Sequence, residues 1–264
     1  MRTVVVQSYR TVDVEPWMQR CMQSVREWAA SRGYAYNFVD DRLFEFLPAS
    51  IRSNPNMPLL PKTDMARLGL LEEQLKHFEC AIWLDADVLI FDAATFVMPD
   101  ACGAMFCHEI WTSLDEHGAL FHRRGINNAL MMFERGNPLL GFLRYASLEL
   151  YQHGDPARMS STALGTALLS KLGDVLPLRL HTQVACLSPL LLAAAYYGDR
   201  PEWLRAHAVK HGHRFCAANL CRSLLKAPFT QQRPRDLDDH QMQKLMENLI
   251  VTRGSILAGH ALLA

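Results

Sequence analysis

The amino-acid sequence predicts an α/β fold, and three segments near its start give the reason. Thr3–Gln7 is rich in β-branched residues and is bounded by polar ones, which is typical of a buried parallel strand. Trp17–Ser31 carries apolar residues at helical spacing, and Gly33 then ends the helix. Tyr34–Val39 is a second strand candidate. This βαβ order favours an α/β fold with its binding groups at the carboxyl ends of the strands.

The middle of the chain continues the alternation of helix and strand. Leu47–Pro61 is rich in Pro, Asn and Ser and is predicted to be a loop. A helix is expected from Lys62, and Cys80–Phe91 contains an apolar strand, the motif Asp85-Ala86-Asp87 and a second apolar stretch. Further elements are expected as strands at Ala101–His108 and Asn128–Phe133, as helices at Pro138–Tyr151 and Thr162–Leu172, and as an extended segment at Val175–Leu180.

Two late segments stand out. His207–His213 is a short alternating segment that holds three histidines. From Asp238 onward, an amphipathic stripe predicts a terminal helix packed on the core or on a second subunit. The stripe consists of Met242, Leu245, Met246, Leu249 and Ile250. We therefore expect a domain over residues 1–235 and a helical extension over 236–264, through which a homodimer could form.

The charge balance excludes one class of protein. The 264 residues contain 27 Lys plus Arg and 27 Asp plus Glu, so no global field attracts nucleic acid or an anionic membrane. The longest apolar run, Leu187–Tyr197, is too short to span a membrane. Seven scattered cysteines, an odd number, are typical of a reducing compartment. We therefore expect a cytoplasmic protein without a transmembrane segment, either free or peripheral at the inner membrane face.

Asp85 and Asp87 are the residues that most clearly carry chemistry. Two carboxylates at positions i and i+2, leaving a buried strand, are costly unless a cation joins them. Oxygen ligands of this kind suit Mn²⁺ or Mg²⁺ bound to a diphosphate. Such an ion would neutralise the charge of a nucleoside-diphosphate leaving group. The alternative is a strand end with one solvated aspartate and one that caps a helix.

The residues around this motif resemble the core signature of the GT-A glycosyltransferases, in particular the retaining α-galactosyl-, α-mannosyl- and α-xylosyltransferases. The match consists of Lys62, Asp64 and Arg67 at a helix start, then Trp83, Asp85, Asp87 and Ile90. It extends more weakly to the first strand with Val6, Ser8 and Tyr9, to Asn127-Asn128, and to His211 and His213. The resemblance implies a Rossmann-like nucleotide-diphospho-sugar transferase fold, with a mixed sheet flanked by helices.

The resemblance also implies roles. The donor, a UDP- or GDP-sugar, would contact Val6, Ser8, Tyr9, Lys62, Arg67, Asp85, Ala86, Asp87 and Asn127. Asp64, Arg67 and Asn128 would be catalytic, and Asp85, Asp87 and one late histidine, His211 or His213, would hold Mn²⁺. Each role has a structural alternative: Asp64 as a helix N-cap, Lys62 and Arg67 as solvated charges, and the histidines as structural residues. Arg123 and Arg124 are phosphate partners or ordinary loop charges.

One departure from the family pattern concerns catalysis. Such enzymes often place an acidic residue at a helix start where this chain has 159–168, and only Asp155 lies near. An inverting transferase needs a general base, whereas a retaining one can use the leaving-group phosphate, so the gap favours retention. The acceptor, a glycan, lipid-linked sugar or small molecule, would meet the loops at 41–61 and 109–126.

Three other readings stay open. A haloacid-dehalogenase-like phosphatase would use Asp85 as its nucleophile. A zinc module could be built from Cys102, Cys107, His108, Cys216 and Cys221, although buried thiols are the expectation there. The third is a catalytically silent GT-A-like domain that binds a sugar or a protein.

Overall fold

The computed structural model describes residues 1–100, 102–224 and 236–259. The strands among these residues are β1 (Thr3–Ser8), β2 (Ala35–Val39), β3 (Cys80–Leu84), β4 (Val88–Ile90), β5 (Ala104–Leu114), β6 (Leu120–Glu134), β7 (Leu180–His181), β8 (Val184–Cys186) and β9 (Ala217–Asn219). The α-helices are α1 (Pro16–Ser31), α2 (Ala49–Arg52), α3 (Leu59–Gln74), α4 (Pro138–His153), α5 (Thr166–Gly173), α6 (Pro189–Tyr197), α7 (Pro201–His211) and α8 (Asp239–Val251).

A six-stranded mixed sheet in the order β2-β1-β3-β6-β5-β7 organises the fold. β1 pairs in parallel with both β2 and β3, whereas β6 is antiparallel to β3 and to β5. The prediction of an α/β fold with a mixed sheet flanked by helices is therefore confirmed. The β3–β6 pairing has a direct consequence for the site, because it sets the end of β3, where Asp85 follows, beside the Asn127–Ala129 stretch of β6.

A smaller three-stranded sheet lies after the Asp85-Ala86-Asp87 motif. β4 is antiparallel to β9, and β9 is parallel to β8. The register places Val88 opposite Asn219. A segment more than a hundred residues later in the chain is thereby held next to Asp87.

The core lies on both faces of the main sheet. Val4 and Val6 of β1 enter an apolar cluster that includes α3 and α4, whereas Val5 enters another that includes Trp28 of α1. A strand buried on both sides accounts for the continuous β-branched run of the sequence. The first turns of α1 join a third cluster with α6 and α8.

The apolar stripe of α8 packs on the chain itself. Met242, Leu245, Met246 and Leu249 are buried in the third cluster, and Ile250 lies against it. The helix begins with a capping box in which Asp238 and Gln241 bond each other's backbone. The stripe was expected to pack either on the core or on a second subunit, and in the structure it packs on the core of its own chain.

Some expected elements differ from the observed ones. The predicted loop Leu47–Pro61 contains α2 and the start of α3, because a proline is tolerated in the first turn of a helix, where its missing N–H has no partner. The segment 109–126 is no loop: it forms the outer arms of the β5–β6 hairpin, closed by Asp115, whose carboxylate accepts the N–H groups of His117 and Ala119.

The histidine segment is helical up to His211. α7 begins at Pro201 and ends at Gly212, which adopts a left-handed φ of 76°. A proline at the start and a glycine after the end are ordinary helix signals, and they outweigh the short alternation of the segment. Val175–Leu180, expected to be extended, becomes a strand only at Leu180.

The cysteines are buried thiols. Cys102, Cys107, Cys216 and Cys221 are free, as are Cys21, Cys80 and Cys186. Within the described ranges, no group of three or more histidine, cysteine, aspartate or glutamate side chains is arranged to hold a metal, so the zinc reading finds no support there. Among the same residues, no helix combines the length and apolarity needed to cross a bilayer.

Candidate functional site

A tight turn after β3 presents Asp85 and Asp87. The backbone N–H of Asp85 donates to Ala129 O at 2.8 Å, and Val88 N donates back to Asp85 O at 3.1 Å. The buried Gln7 Nε2 donates to the same carbonyl at 3.1 Å, and Tyr36 holds Gln7 in turn through a 2.9 Å hydrogen bond. Gln7, which the sequence does not mark, thus fixes the turn from β1.

The chain after β9 closes around Asp87. Leu220 N donates to Asp87 O at 3.1 Å, and the backbone N–H of Arg222 donates to Asp87 Oδ2 at 2.7 Å. Asn219, opposite Val88, is buried, and its Oδ1 accepts Cys221 N at 2.9 Å. Asn219 gives no local sequence signal, since only the β4–β9 pairing brings it to the motif.

Arg67 connects Asp85 to α3. Its Nη1 lies 3.1 Å from Asp85 Oδ1, and its Nη2 lies 3.4 Å from Asp64 Oδ1. The guanidinium also lies over the Trp83 ring, 4.9 Å from its centroid, and donates to Asn128 O at 3.2 Å. Trp83 Nε1 donates to Asp85 Oδ1 at 2.7 Å. The structure therefore joins the two halves of the sequence signature, helix and strand, in one buried cluster.

Asp64 lies inside α3 and is not an N-cap, since that position belongs to Pro58. Its Oδ1 accepts Asn128 Nδ2 at 2.8 Å. Burial raises the pKa of Asp64 to about 6, against the lowering effects of Arg67 and of the Asn128 bond. Gly165 lies directly on this pair: a Cβ there would be 2.4 Å from Asn128 Nδ2 and 2.7 Å from Asp64 Oδ2.

The buried negative charges of Asp85 and Asp87 favour the binding of a cation at the motif. Burial and then the charge of Asp85 raise the pKa of Asp87 well above its usual range, while the N–H of Arg222 opposes the shift. Trp83 and Arg67 both bind Oδ1 of Asp85, and Arg222 binds Oδ2 of Asp87. Within the described chain, no hydrogen bond or ion pair from another residue is found at the second oxygen of either carboxylate. Two such oxygens fit Mn²⁺ or Mg²⁺, and the remaining ligands would have to be phosphate oxygens and water.

A second carboxylate, Glu109 on β5, lies nearby. It is buried, and its Oε1 accepts Asn127 Nδ2 at 2.7 Å, while Asn127 Oδ1 accepts Ala129 N at 2.7 Å. Burial raises the pKa of Glu109. Burial is the main cause of the raised pKa of the Cys221 thiol, and the negative charges of Asp87, Glu109 and Asp85 add to it. All three carboxylates therefore lie near this thiol. Glu109 therefore borders the same site, in a segment that the sequence alone suggests is a loop.

Tyr9 leads to a polar cluster at the end of β1. Its hydroxyl donates to Glu15 Oε2 at 2.9 Å, and the guanidinium of Arg222 lies 2.5 Å from Glu15 Oε1. Burial alone would raise the pKa of Glu15, but its hydrogen bonds lower it to about 2. Since Arg222 also binds Asp87 through its backbone, Tyr9 is linked to the motif.

Three residues expected to contact the nucleotide-sugar have side chains that lie away from the Asp85–Asp87 motif. The side chain of Val6 is in the core, and Ser8 Oγ donates to Asp40 O at 3.4 Å. Lys62 Nζ donates to the backbone oxygens of Asn54, at 2.5 Å, and Arg52, at 3.4 Å, so it braces the segment before α3. None of these three side chains joins the Asp64–Arg67–Asp85 cluster.

The late histidines form a cluster of their own. His211 is buried at the end of α7, with its Nε2 3.3 Å from His108 Nδ1. His207 Nδ1 lies 3.0 Å from Thr112 Oγ1, and the exposed His213 meets the His211 ring in an edge-to-face contact with 5.9 Å between the ring centroids. No histidine joins Asp85 and Asp87 in a possible metal-ligand group among the residues that the structure covers. His211 and His213 as metal ligands remain a prediction that these contacts do not support.

Asp155 does not take the place of the absent helix acid. Its carboxylate accepts Ala157 N at 3.1 Å and pairs with Arg158 at 3.5 Å, in an exposed turn. The start of α5 carries Gly165 in the region where the family pattern often has an acidic residue. Space explains this, because Asp64 and Asn128 already fill the volume that a side chain would need.

Comparisons with known proteins give matches of fold only. No protein-family model matches the chain, and no curated protein sequence matches it significantly. Similar solved structures include a glycosyltransferase involved in the glycosylation of the major capsid of PBCV-1, with 11% identity and a TM-score of 0.48 over 92% of this chain and 98% of that one. Mouse xyloside xylosyltransferase 1 in its apo form has 11% identity and a TM-score of 0.45 over 87% and 99%. The PaToxG glycosyltransferase has 10% identity and a TM-score of 0.38 over 95% and 87%. At these values no residue role is transferred.

Proposed function

We propose that the protein is a metal-dependent glycosyltransferase that moves a sugar from a UDP- or GDP-linked donor to a hydroxyl of an acceptor. The observation that carries the proposal is the Asp85–Asp87 pair and its charge balance. Asp64, Asp85 and Asp87 bear three negative charges when ionised, and Arg67 supplies one positive charge. A divalent cation would bring the sum of these charges to zero.

The residues around the pair would each have a task. Arg67 and Trp83 hold Asp85 by one oxygen, and the N–H of Arg222 holds Asp87 by one oxygen, which leaves the second oxygen of each for the ion. When bound, Mn²⁺ or Mg²⁺ would neutralise the charge that develops on the departing diphosphate. Tyr9, linked to Arg222 through Glu15, would line the nucleotide side.

Asp64 and Asn128 would face the donor sugar. Asn128 Nδ2 donates to Asp64, and its backbone oxygen accepts from Arg67, so the side-chain oxygen Oδ1 of Asn128 is the atom left to accept a sugar hydroxyl. Asn127 has both polar atoms engaged, one with Glu109 and one with Ala129 N, and would act by positioning Glu109. Groups held in this way lose little freedom when a substrate binds.

Retention of the anomeric configuration is the stereochemical part of the proposal. It is favoured because Gly165 stands at the start of α5, where an acid would serve as a general base. Proton NMR of the first product formed decides the point. An α-linked sugar released from an α-linked donor supports retention, and a β-linked one overturns it.

A binding experiment tests the central proposal. Thermal shift and calorimetry with UDP and GDP, with Mn²⁺ or with EDTA, should show nucleotide binding only with the metal. Asp87→Asn should weaken binding by roughly a hundredfold, about 2.7 kcal/mol, and raise thermal stability, since a buried, repelled carboxylate is removed. Glu247→Gln, an exposed carboxylate on α8, is the matched control and should bind as the wild type does.

The results could contradict the proposal in three different ways. Equal binding in EDTA, or unchanged binding by Asp87→Asn, rejects the metal-diphosphate site. Metal-dependent release of phosphate from p-nitrophenyl phosphate without nucleotide binding indicates the phosphatase alternative. Nucleotide binding without turnover of any UDP- or GDP-sugar, even by slow hydrolysis, indicates a silent domain.

A further inference from the structure

The turn that follows β9 has a backbone conformation that a side chain disfavours. Cys221 has a φ of 49°, in the left-handed region that residues other than glycine rarely adopt. Asn219 Oδ1 accepts Cys221 N at 2.9 Å and supports the turn from within. This conformation brings the N–H of the next residue, Arg222, to Asp87 Oδ2 at 2.7 Å. Contacts that fix Arg222 from outside the turn therefore help to keep its N–H on the carboxylate.

Glu15, the residue before α1, fixes the side chain of Arg222. Its Oε1 lies 2.5 Å from Arg222 Nη2, and its Oε2 accepts the Tyr9 hydroxyl at 2.9 Å. The Glu15 side chain is 8% exposed and that of Arg222 is 20% exposed, so little water competes for the pair. Although burial alone would raise it, hydrogen bonds lower the pKa of Glu15 to about 2, and the carboxylate is ionised at neutral pH. A shielded, charge-assisted contact of this kind restricts the arginine to one position.

Arg10 pairs with the same oxygen of Glu15 and differs from Arg222 in one respect. Its Nη2 lies 3.0 Å from Glu15 Oε1, and its side chain is 42% exposed. The same nitrogen donates to Asp13 O at 2.6 Å, in the loop before α1. Among the described residues, no hydrogen bond or ion pair of Arg10 reaches Asp87 or the turn 219–222. Of the two cations paired with Glu15, only Arg222 has a backbone bond to the proposed metal ligand.

We propose that Glu15 is a positioning residue for the metal ligand Asp87, and that it acts through Arg222. The inference rests on the proposed function and deepens it, because it adds a residue far from the motif to the cation site. With its side chain fixed by Glu15, Arg222 keeps its N–H on Asp87 Oδ2, so that the second oxygen of Asp87 keeps its direction toward the ion. Groups that orient a metal ligand change the metal affinity strongly although they do not touch the metal.

Sensitised luminescence of Tb³⁺ tests the inference without a nucleotide. Tb³⁺ is a hard cation that binds carboxylate oxygens as Ca²⁺ and Mg²⁺ do, and it emits when a nearby tryptophan is excited. Trp83 is suited to this, because its Nε1 donates to Asp85 Oδ1 at 2.7 Å. Titration of the full-length protein gives the affinity of the cation site by itself. Asp87→Asn should remove most of the emission and so shows where the ion binds.

Three variants separate positioning from stability. Glu15→Gln and Arg222→Gln should each weaken Tb³⁺ binding roughly tenfold, as loss of a group that orients a metal ligand does. The double variant should lose little more than Arg222→Gln alone, because Glu15 acts through Arg222. Arg10→Gln removes the other cation paired with Glu15 and is the matched control, which should bind Tb³⁺ as the wild type does. All titrations are run below the lowest melting temperature, and if Glu15→Gln does not fold, the comparison of Arg222→Gln with Arg10→Gln decides.

The charges of the two residues make the test sharper. Removal of the negative charge of Glu15 would by itself weaken the binding of a cation, whereas removal of the positive charge of Arg222 would by itself strengthen it. Positioning predicts weaker binding in both variants. Weaker binding by Arg222→Gln therefore cannot result from its change of charge.

The outcomes that overturn the inference differ from the one that rejects the proposed function. Unchanged or tighter Tb³⁺ binding by Arg222→Gln overturns it, as does an equal loss in Arg10→Gln. Additive losses in the double variant overturn it as well, because Glu15 would then act independently of Arg222. Calorimetry with Mn²⁺ and UDP or GDP is run on the same samples, and a loss of nucleotide affinity at unchanged Tb³⁺ affinity assigns the Arg222 guanidinium to the diphosphate instead. If the wild type gives no emission that Asp87→Asn removes, the proposed cation site itself is rejected.

Discussion

Arg67 Nη1 lies 3.1 Å from Asp85 Oδ1, and this contact ties α3 to the turn that follows β3. The guanidinium is buried, reaches Asp64 with its other nitrogen and lies over the Trp83 ring. A planar group with several donors can satisfy all three neighbours, whereas an ammonium is a point charge on a flexible stem. Arg67 is therefore the residue that sets the position of Asp85.

Arg67→Lys should destabilise the protein by about 3 kcal/mol, because one buried carboxylate is left without its cationic partner. Urea unfolding at pH 8 measures the change in the free energy of unfolding. Arg20→Lys is the control, since Arg20 and Glu27 form an exposed pair at 3.1 Å, and pairs of that kind contribute about 1 kcal/mol or less. Similar losses for the two variants would contradict the role given to Arg67.

The part of the site that could be predicted from the sequence is the part written in short, local patterns. The Lys62–Arg67 helix and the Asp85-Ala86-Asp87 turn lie within thirty residues, and the structure joins Asp64, Arg67 and Asp85. Asn128 was also expected, and it contacts Asp64. The first of the signature residues, Lys62, belongs to the neighbouring segment instead.

What could not be predicted depends on strand pairing between distant segments. Glu109 reaches Asn127 only because β5 and β6 form one long hairpin, and Asn219 reaches the motif only because β9 pairs with β4. Neither residue lies in a pattern with a period of its own. The late histidines differ from both cases, because helix geometry sets His211 beside His108 and His207 beside Thr112. The role of His211 or His213 as a metal ligand stays a prediction.

Gly165→Ala should disturb the Asp64–Asn128 hydrogen bond, because the new Cβ would lie 2.4 Å from Asn128 Nδ2. Insertion of a methyl group at a tight contact costs about 1–3 kcal/mol, and sugar transfer should fall more than nucleotide affinity. Chemical unfolding and donor-hydrolysis rates measure the two effects. Gly141→Ala in α4 is the matched control: no heavy atom lies within 4 Å of its Cβ, so it should stabilise the helix by about 0.5–1 kcal/mol.

Glu109→Gln should stabilise the protein at pH 8. Burial raises the pKa of Glu109, so the folded state binds this proton more tightly than the unfolded state does, and stability is lost as pH rises through the folded pKa. Glutamine removes the ionised form and keeps an oxygen for Asn127, with a gain on the order of 1 kcal/mol. The gain should shrink toward pH 4.5 in urea titrations. A loss of stability at pH 8, or a gain independent of pH, would show that the ionised carboxylate is well satisfied.

The buried histidines should make the protein less stable in mild acid. Burial lowers the pKa of His207 from 6.5 to about 4, with smaller effects of His122 and His108. The unfolded state therefore takes up a proton first, and the contribution of His207 to stability, complete above pH 6.5, is lost as pH falls toward 4. At pH 5 the loss is about 2 kcal/mol, at about 1.4 kcal/mol for each pH unit.

Comparison of variants isolates this effect, since Asp64 and Asp87, whose pKa values are raised, change stability in the opposite direction over the same range. Urea unfolding at pH 7.5 and pH 5 should show His207→Gln gaining about 2 kcal/mol on the wild type between the two pH values. His117→Gln, at an exposed hairpin turn, should gain nothing. The prediction is contradicted if the free energies of unfolding of His207→Gln and of the wild type differ by the same amount at both pH values. In that case His207 has the same pKa in the folded and unfolded states, and its burial does not disfavour the protonated imidazole.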